Sequence, residues 1–217
     1  MSHKLEKMRT FHFTLIILFL PLIGFCQSDW ELQRDKKGIK VWTKDYPDSN
    51  FKQFKATCHI DASMENVVAL FQDINNLNKW YDRVETTALN RKISDQEAIY
   101  TIDFDLPWPV TNRVTAVKST IKLNPTNGQV KVITEYEANI ITPSKGDLLV
   151  TNVSSDWILT PNPNGGIDAL HLGYMDPAGS LPAWIANKGV KDGPINTITG
   201  MKKLLPKYET VDVTFID

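Results

Sequence analysis

The feature that most restricts how this chain can fold is a succession of alternating segments with no helical pattern between them. Ala98 to Leu106 sets Tyr100, Ile102, Phe104 and Leu106 against Thr101, Asp103 and Asp105. Arg113 to Leu123 alternates in the same way. Gln129 to Ala138 follows an Asn127-Gly128 turn, Asp147 to Leu159 follows Lys145-Gly146, and Ile167 to Met175 follows the Pro161–Gly166 loop. A period of two is the pattern of a strand with one buried face. Parallel neighbours need a crossover of about a dozen residues or more, and these connections are turns. The stretch therefore predicts an antiparallel meander. Upstream, Trp30–Arg34 and Ile39–Thr43 read as a hairpin around Lys36-Lys37-Gly38. Phe51 to Ile60 reads as a further strand, its mixed faces suiting a sheet edge or a twisted end.

Two segments carry the helical period instead. From Ser63 to Leu77, Val67, Leu70, Phe71, Ile74 and Leu77 form one stripe, with Ser63 or Asp61 as the cap. Near the C-terminus Ser180 is a cap candidate, and Pro182 stands in a first turn where its missing N–H is harmless. Ile195, Ile198, Met201, Leu204 and Leu205 continue the apolar face to Pro206. Gly189 and Pro194 predict two pieces or one kinked helix. The tail from Lys207 to Asp217 is left unassigned.

With 24 basic and 25 acidic side chains, the chain has no field of one sign, which argues against nucleic acid as a partner. Lys4, Lys7 and Arg9 precede the apolar run Phe11–Ile23, and Gly24 and Cys26 stand just before Gln27. Residues 1–26 thus read as a cleaved signal peptide, shorter than the ~20 apolar residues of a comfortable membrane span. An uncleaved anchor is the competing reading. Residues 27–217 are expected to form a single exported domain, periplasmic or extracellular. Cys58 is then the lone thiol, without an internal disulfide partner, and is expected to fill a small buried space.

Chemistry leaves little trace. His59 and His171 lie on separate strands, and no zinc, nucleophile-elbow or phosphate-loop spacing occurs. No metal or cofactor is expected. Asp103 and Asp105 share a strand face, where a solvated pair is the simpler reading.

The run Tyr174-Met-Asp-Pro-Ala-Gly-Ser-Leu-Pro-Ala-Trp-Ile-Ala-Asn187 resembles the C-terminal signature of the START family of lipid-binding domains. Leu106-Pro-Trp-Pro-Val-Thr-Asn-Arg-Val114 is similar to the loop at that family's cavity mouth, although Val114 replaces its acidic residue. Asp73 and Trp80 resemble the end of its first helix. The resemblance implies an α+β helix-grip fold, a curved antiparallel sheet wrapped around a long C-terminal helix. It also implies a non-enzymatic carrier or sensor of a lipid or other hydrophobic small molecule, monomeric and open to transient membrane contact. A cyclase- or hydrolase-like enzyme is the alternative. The candidate ligand-binding residues are Tyr100, Ile102, Phe104, Leu106, Trp108, Arg113, Trp157, His171, Trp184, Ile185, Ile198 and Met201. Sterol carriers place an arginine where this chain has Ser119, so that pair does not transfer. Arg113 is expected to anchor a ligand head group or to pair with Asp103 or Asp105. The loop Pro107–Asn112 and the helix from Pro182 are the expected gate, with Gly179 and Gly189 as hinges.

Overall fold

The computed structural model describes residues 29–106, 108, 110–211 and 213, so the predicted signal peptide lies outside it. Strands β1 (Glu31–Lys36) and β2 (Ile39–Asp45) form the predicted hairpin. Lys37 and Gly38 both take positive φ, 57° and 70°, as a two-residue turn of the I′ kind demands. Strand β3 (Lys52–Ile60) leads into helix α1 (Met64–Gln72), where Ser63 Oγ accepts the Asn66 N–H at 3.2 Å as an N-cap. Then come β4 (Val84–Lys92), β5 (Glu97–Phe104), β6 (Arg113–Asn124), β7 (Gln129–Tyr136), β8 (Leu148–Leu149), β9 (Val153–Pro161) and β10 (Ile167–Met175). Helix α2 (Ala183–Leu204) follows, and a 3-10 turn over Leu205–Tyr208 is the last element among the described residues.

The sheet runs β1-β2-β3-β10-β9-β7-β6-β5-β4, with β8 beside β6. Strand β10 returns to pair with β3, so the N-terminal hairpin is joined to the last strand of the meander. Helix α1 carries the chain from β3 to the opposite edge. The bent sheet grips α2, which lies against β1, β2 and β3. This is the expected α+β helix-grip fold. No helix among the described residues is long and apolar enough to cross a membrane.

Several boundaries differ from the sequence reading. Strand β3 is interior rather than an edge; Ala56, Cys58 and Ile60 enter the core while Lys55 lies over the rings of Trp30 and Trp42. Helix α1 stops at Gln72, and Ile74–Lys79 is a 3-10 turn. Asp73 holds that break by accepting the Asn76 amide at 2.6 Å and the Tyr208 hydroxyl at 2.8 Å. Strand β4 has no counterpart in the sequence reading. The segment Asp147–Leu159 splits, because β8 pairs parallel with β6 before β9 begins. Helix α2 is continuous through Pro194, and its cap position is Pro182, not Ser180.

Candidate functional site

The inner face of the sheet is built from alternate residues, and register arranges them in rows. One row runs Val41, Ala56, His171, Trp157, Val132 and Ile121 across neighbouring strands. All of these are buried, and this end of the interior is filled. The adjacent row is Thr43, Phe54, Gly173, Ser155, Thr134 and Ser119. It is a line of hydroxyls interrupted by one ring and one glycine. A Cβ on Gly173 would meet the Phe54 ring at 2.4 Å, so the ring covers the space that the missing side chain leaves.

Beyond this row the interior changes character. Phe54, Tyr81, Val153 and Met175 pack on the core yet keep accessible surface, as do Thr134, Tyr136 and Ser155. Tyr81 stands deep enough for burial to raise its phenol pKa, with Asp82 pushing in the same direction and the Ser155 hydrogen bond opposing both.

Helix α2 divides at the same level. From Pro194 onward Pro194, Ile195, Thr197, Ile198 and Met201 are buried, whereas no residue from Ala183 to Gly193 is. A Cβ on Gly200 would stand 2.6 Å from the Trp80 carbonyl oxygen, so the later half is pressed onto the end of the first helical segment. The earlier half is moored at its rim. Asn187 Oδ1 accepts the Lys52 N–H at 2.9 Å, and Arg34 pairs with Asp192 at 2.8 Å.

Three side chains from three elements meet at the polar row. Ser155 Oγ lies 2.9 Å from His171 Nε2, and the Tyr81 hydroxyl lies 3.2 Å from Ser155 Oγ and 3.5 Å from the same nitrogen. The imidazole stacks on Trp157 at 3.9 Å and meets the edge of Phe54 at 4.7 Å. Burial drives its pKa down to about 3, so it is neutral at physiological pH. His171 Nδ1 and Trp157 Nε1 are buried without a hydrogen-bond partner among the described residues. Across the row, burial raises Tyr100 to about 12, while the hydroxyls of Thr134 and Ser119 oppose that shift.

Arg113 does not pair with Asp103 or Asp105. It is 4 % exposed, and its guanidinium faces main-chain oxygens: Nε donates to Pro177 O at 2.9 Å, and the terminal nitrogens reach Thr111 O and Ala178 O. Asp103 instead accepts the Thr86 hydroxyl, and Asp105 is exposed. Carbonyl dipoles meet the buried cation where an ion pair was expected, and they tie the start of β6 to the loop ahead of α2. Burial lowers the pKa of this guanidinium.

The other predicted residues sort by depth. Tyr100, Ile102, Phe104, Trp157, His171, Ile198 and Met201 are buried; Leu106 and Ile185 are half-buried. Trp108 and Trp184 are 92 % and 73 % exposed. Tyr81, Ser155 and Thr134 were missed, although Ser155 shares the inner-face alternation of Val153 and Trp157. Cys58 is buried, and its thiol pKa is pushed up to about 11 by that burial. Two clefts open elsewhere: one of about 540 Å³ by His59, Asp61, Lys202 and Glu209, another of about 160 Å³ by Gln72, Asp73 and Lys92.

The START domain family model matches residues 19–210. An uncharacterized protein of Pseudomonas aeruginosa is 28% identical over 83% of this chain and 88% of its own length. The mouse phosphatidylcholine transfer protein is 19% identical over 83% of this chain and 86% of its own. Among solved structures, a STAR-related lipid transfer protein fragment from Xanthomonas axonopodis superposes with a TM-score of 0.75. It is 28% identical, covering 82% of this chain and 99% of that one.

Proposed function

The chain belongs to the START domain family, and on that footing we propose that it binds one lipid or other hydrophobic small molecule between α2 and the sheet and carries it unchanged. The observation that carries this reading is the contrast between a later half of α2 that is buried and an earlier half that is not, together with the partly accessible side chains Phe54, Tyr81, Val153, Ser155 and Met175. The chain's similarity to a phosphatidylcholine transfer protein and to a STAR-related lipid transfer protein supports it. Each methylene moved out of water contributes about 0.8 kcal/mol. A tail of about fifteen therefore resists leaving a bilayer by about 12 kcal/mol, and an apolar cavity offsets that cost.

The Ser155–His171 contact has the outline of a nucleophile and its base, but its chemistry supports binding. An imidazole with a pKa near 3 is too weak a base to take a serine proton, and its Nδ1 has no carboxylate to orient it. Asp103 and Asp105 do not converge on it.

Ligand entry by parting of the Trp108 loop from the start of α2, around Gly179 and Gly189, is the motion this reading requires. The exposed Trp108 and Trp184 suit a transient membrane contact during loading. The pattern from Lys4 to Gln27 supports export, which N-terminal sequencing of the secreted protein checks, and light scattering checks that it is a monomer. Native mass spectrometry of protein purified from its own envelope tests the central reading. A noncovalent lipid adduct, together with accelerated transfer of a fluorescent lipid between vesicles, is expected. Bare protein with no transfer defeats it.

A further inference from the structure

The polar row contains a built site whose chemistry narrows the ligand. Hydrogen bonds assign the proton on His171: Nε2 has hydroxyl partners, whereas buried Nδ1 has none. An orphaned buried N–H is rarer than an under-used acceptor, so the proton belongs on Nε2 and is given to Ser155 Oγ. Ser155 and Tyr81 then hold two hydroxyl hydrogens between them, of which their mutual contact at 3.2 Å uses one and leaves the other for a ligand. Both residues keep accessible surface, so the remaining donor is within reach of a ligand held between α2 and the sheet.

No opposite charge waits there. Among the described residues Arg113 is the one buried side chain with a formal charge, and its hydrogen bonds are engaged by the carbonyls of Thr111, Pro177 and Ala178. Asp82, next to Tyr81 in the chain, adds negative charge and accepts the Asn196 amide at 3.1 Å. A carboxylate or phosphate drawn to this depth would lose its water and find neutral hydroxyls only, a cost that hydrogen bonds of this kind do not offset.

We propose that Tyr81 and Ser155, positioned by His171, hold an uncharged oxygen of the ligand, an ester carbonyl or an alcohol, and that the interior selects neutral lipids over ionised ones. This inference rests on the lipid-binding reading above and specifies its ligand class. The test uses two probes with the same tail, monooleoylglycerol and oleate, titrated into the delipidated full chain at a pH where oleate is ionised. Binding is followed by native mass spectrometry and by the ¹⁵N resonances of His171. Monooleoylglycerol is expected to bind at least about tenfold more tightly and to move the His171 Nε2 resonance. Ser155→Ala and Tyr81→Phe are each expected to weaken it about fivefold to tenfold, leaving oleate unchanged. If either variant fails to fold, the probe pair and the resonance on the natural protein decide the matter. Equal affinity, preference for oleate, or an unmoved resonance overturns the neutral-ligand inference while leaving lipid binding intact. Binding of neither probe removes both.

Discussion

The two halves of the interior use the same sheet and the same helix to different ends. In the later half of α2, Ile198 and Met201 are buried, as are Trp157, Leu159 and Ile167 of the sheet. The earlier half has no buried residue, and on the sheet Phe54, Val153 and Met175 keep accessible surface. The change falls at the hydroxyl row through Ser155. A helix can thus be fixed at one end by packing while its other end is held only by rim contacts such as Asn187 to Lys52. Stability and ligand access are assigned to different stretches of one element.

That contrast breaks or sharpens under substitution. Ile198→Ala and Met201→Ala, at fully buried sites, are expected to cost about 2–5 kcal/mol in denaturant unfolding, and Ile185→Ala less than about 1. Equal costs would mean that the two halves are packed alike. Acid comes next. The folded pKa of His171, about 3, lies below the unfolded value near 6.5. Below 6.5 the unfolded chain binds a proton that the fold refuses, so this contribution is complete above about 6.5 and is lost as pH falls toward 3. A few kcal/mol are at stake, and a pH series of melts should show His171→Leu flattening that acid limb.

Glycine gives the third contrast, with opposite signs in one helix. Gly200→Ala forces a methyl onto the Trp80 backbone and is expected to cost about 1–3 kcal/mol. Gly189→Ala meets no atom within 4 Å and should stabilise by about 0.5–1 kcal/mol while slowing ligand uptake. Smallest in stability are Trp108→Ala and Trp184→Ala, within about 0.5 kcal/mol of the natural protein. Both are expected to weaken vesicle association in a flotation assay.

The strands were legible where one face is buried, and β10 runs over the residues that alternation picked out, Ile167–Met175. Strand β4 was not, because it lies at the sheet edge with Val84 as its one buried residue and so has no apolar stripe. Ser63 was readable as a cap, whereas the stop at Asp73 depends on Tyr208, far along the chain. The site was less visible still. Tyr81, Ser155 and His171 come from a loop and two strands, and spacing cannot report a meeting made by tertiary register. Ser155 had one local clue, its alternation with Trp157. The surroundings of Arg113 had none, since peptide oxygens leave no mark on composition.

That last feature bears on how such a loop evolves. Every amino acid supplies the same oxygen, so the tether asks only that the turn keep its path at buried Pro177 and at Ala178, with φ of 58°, while exposed positions such as Ser180 can drift. Position 113 has no such freedom. A lineage could therefore rewrite the face its loop shows to membranes or partners while inheriting, through a single guanidinium, the place where its lid begins.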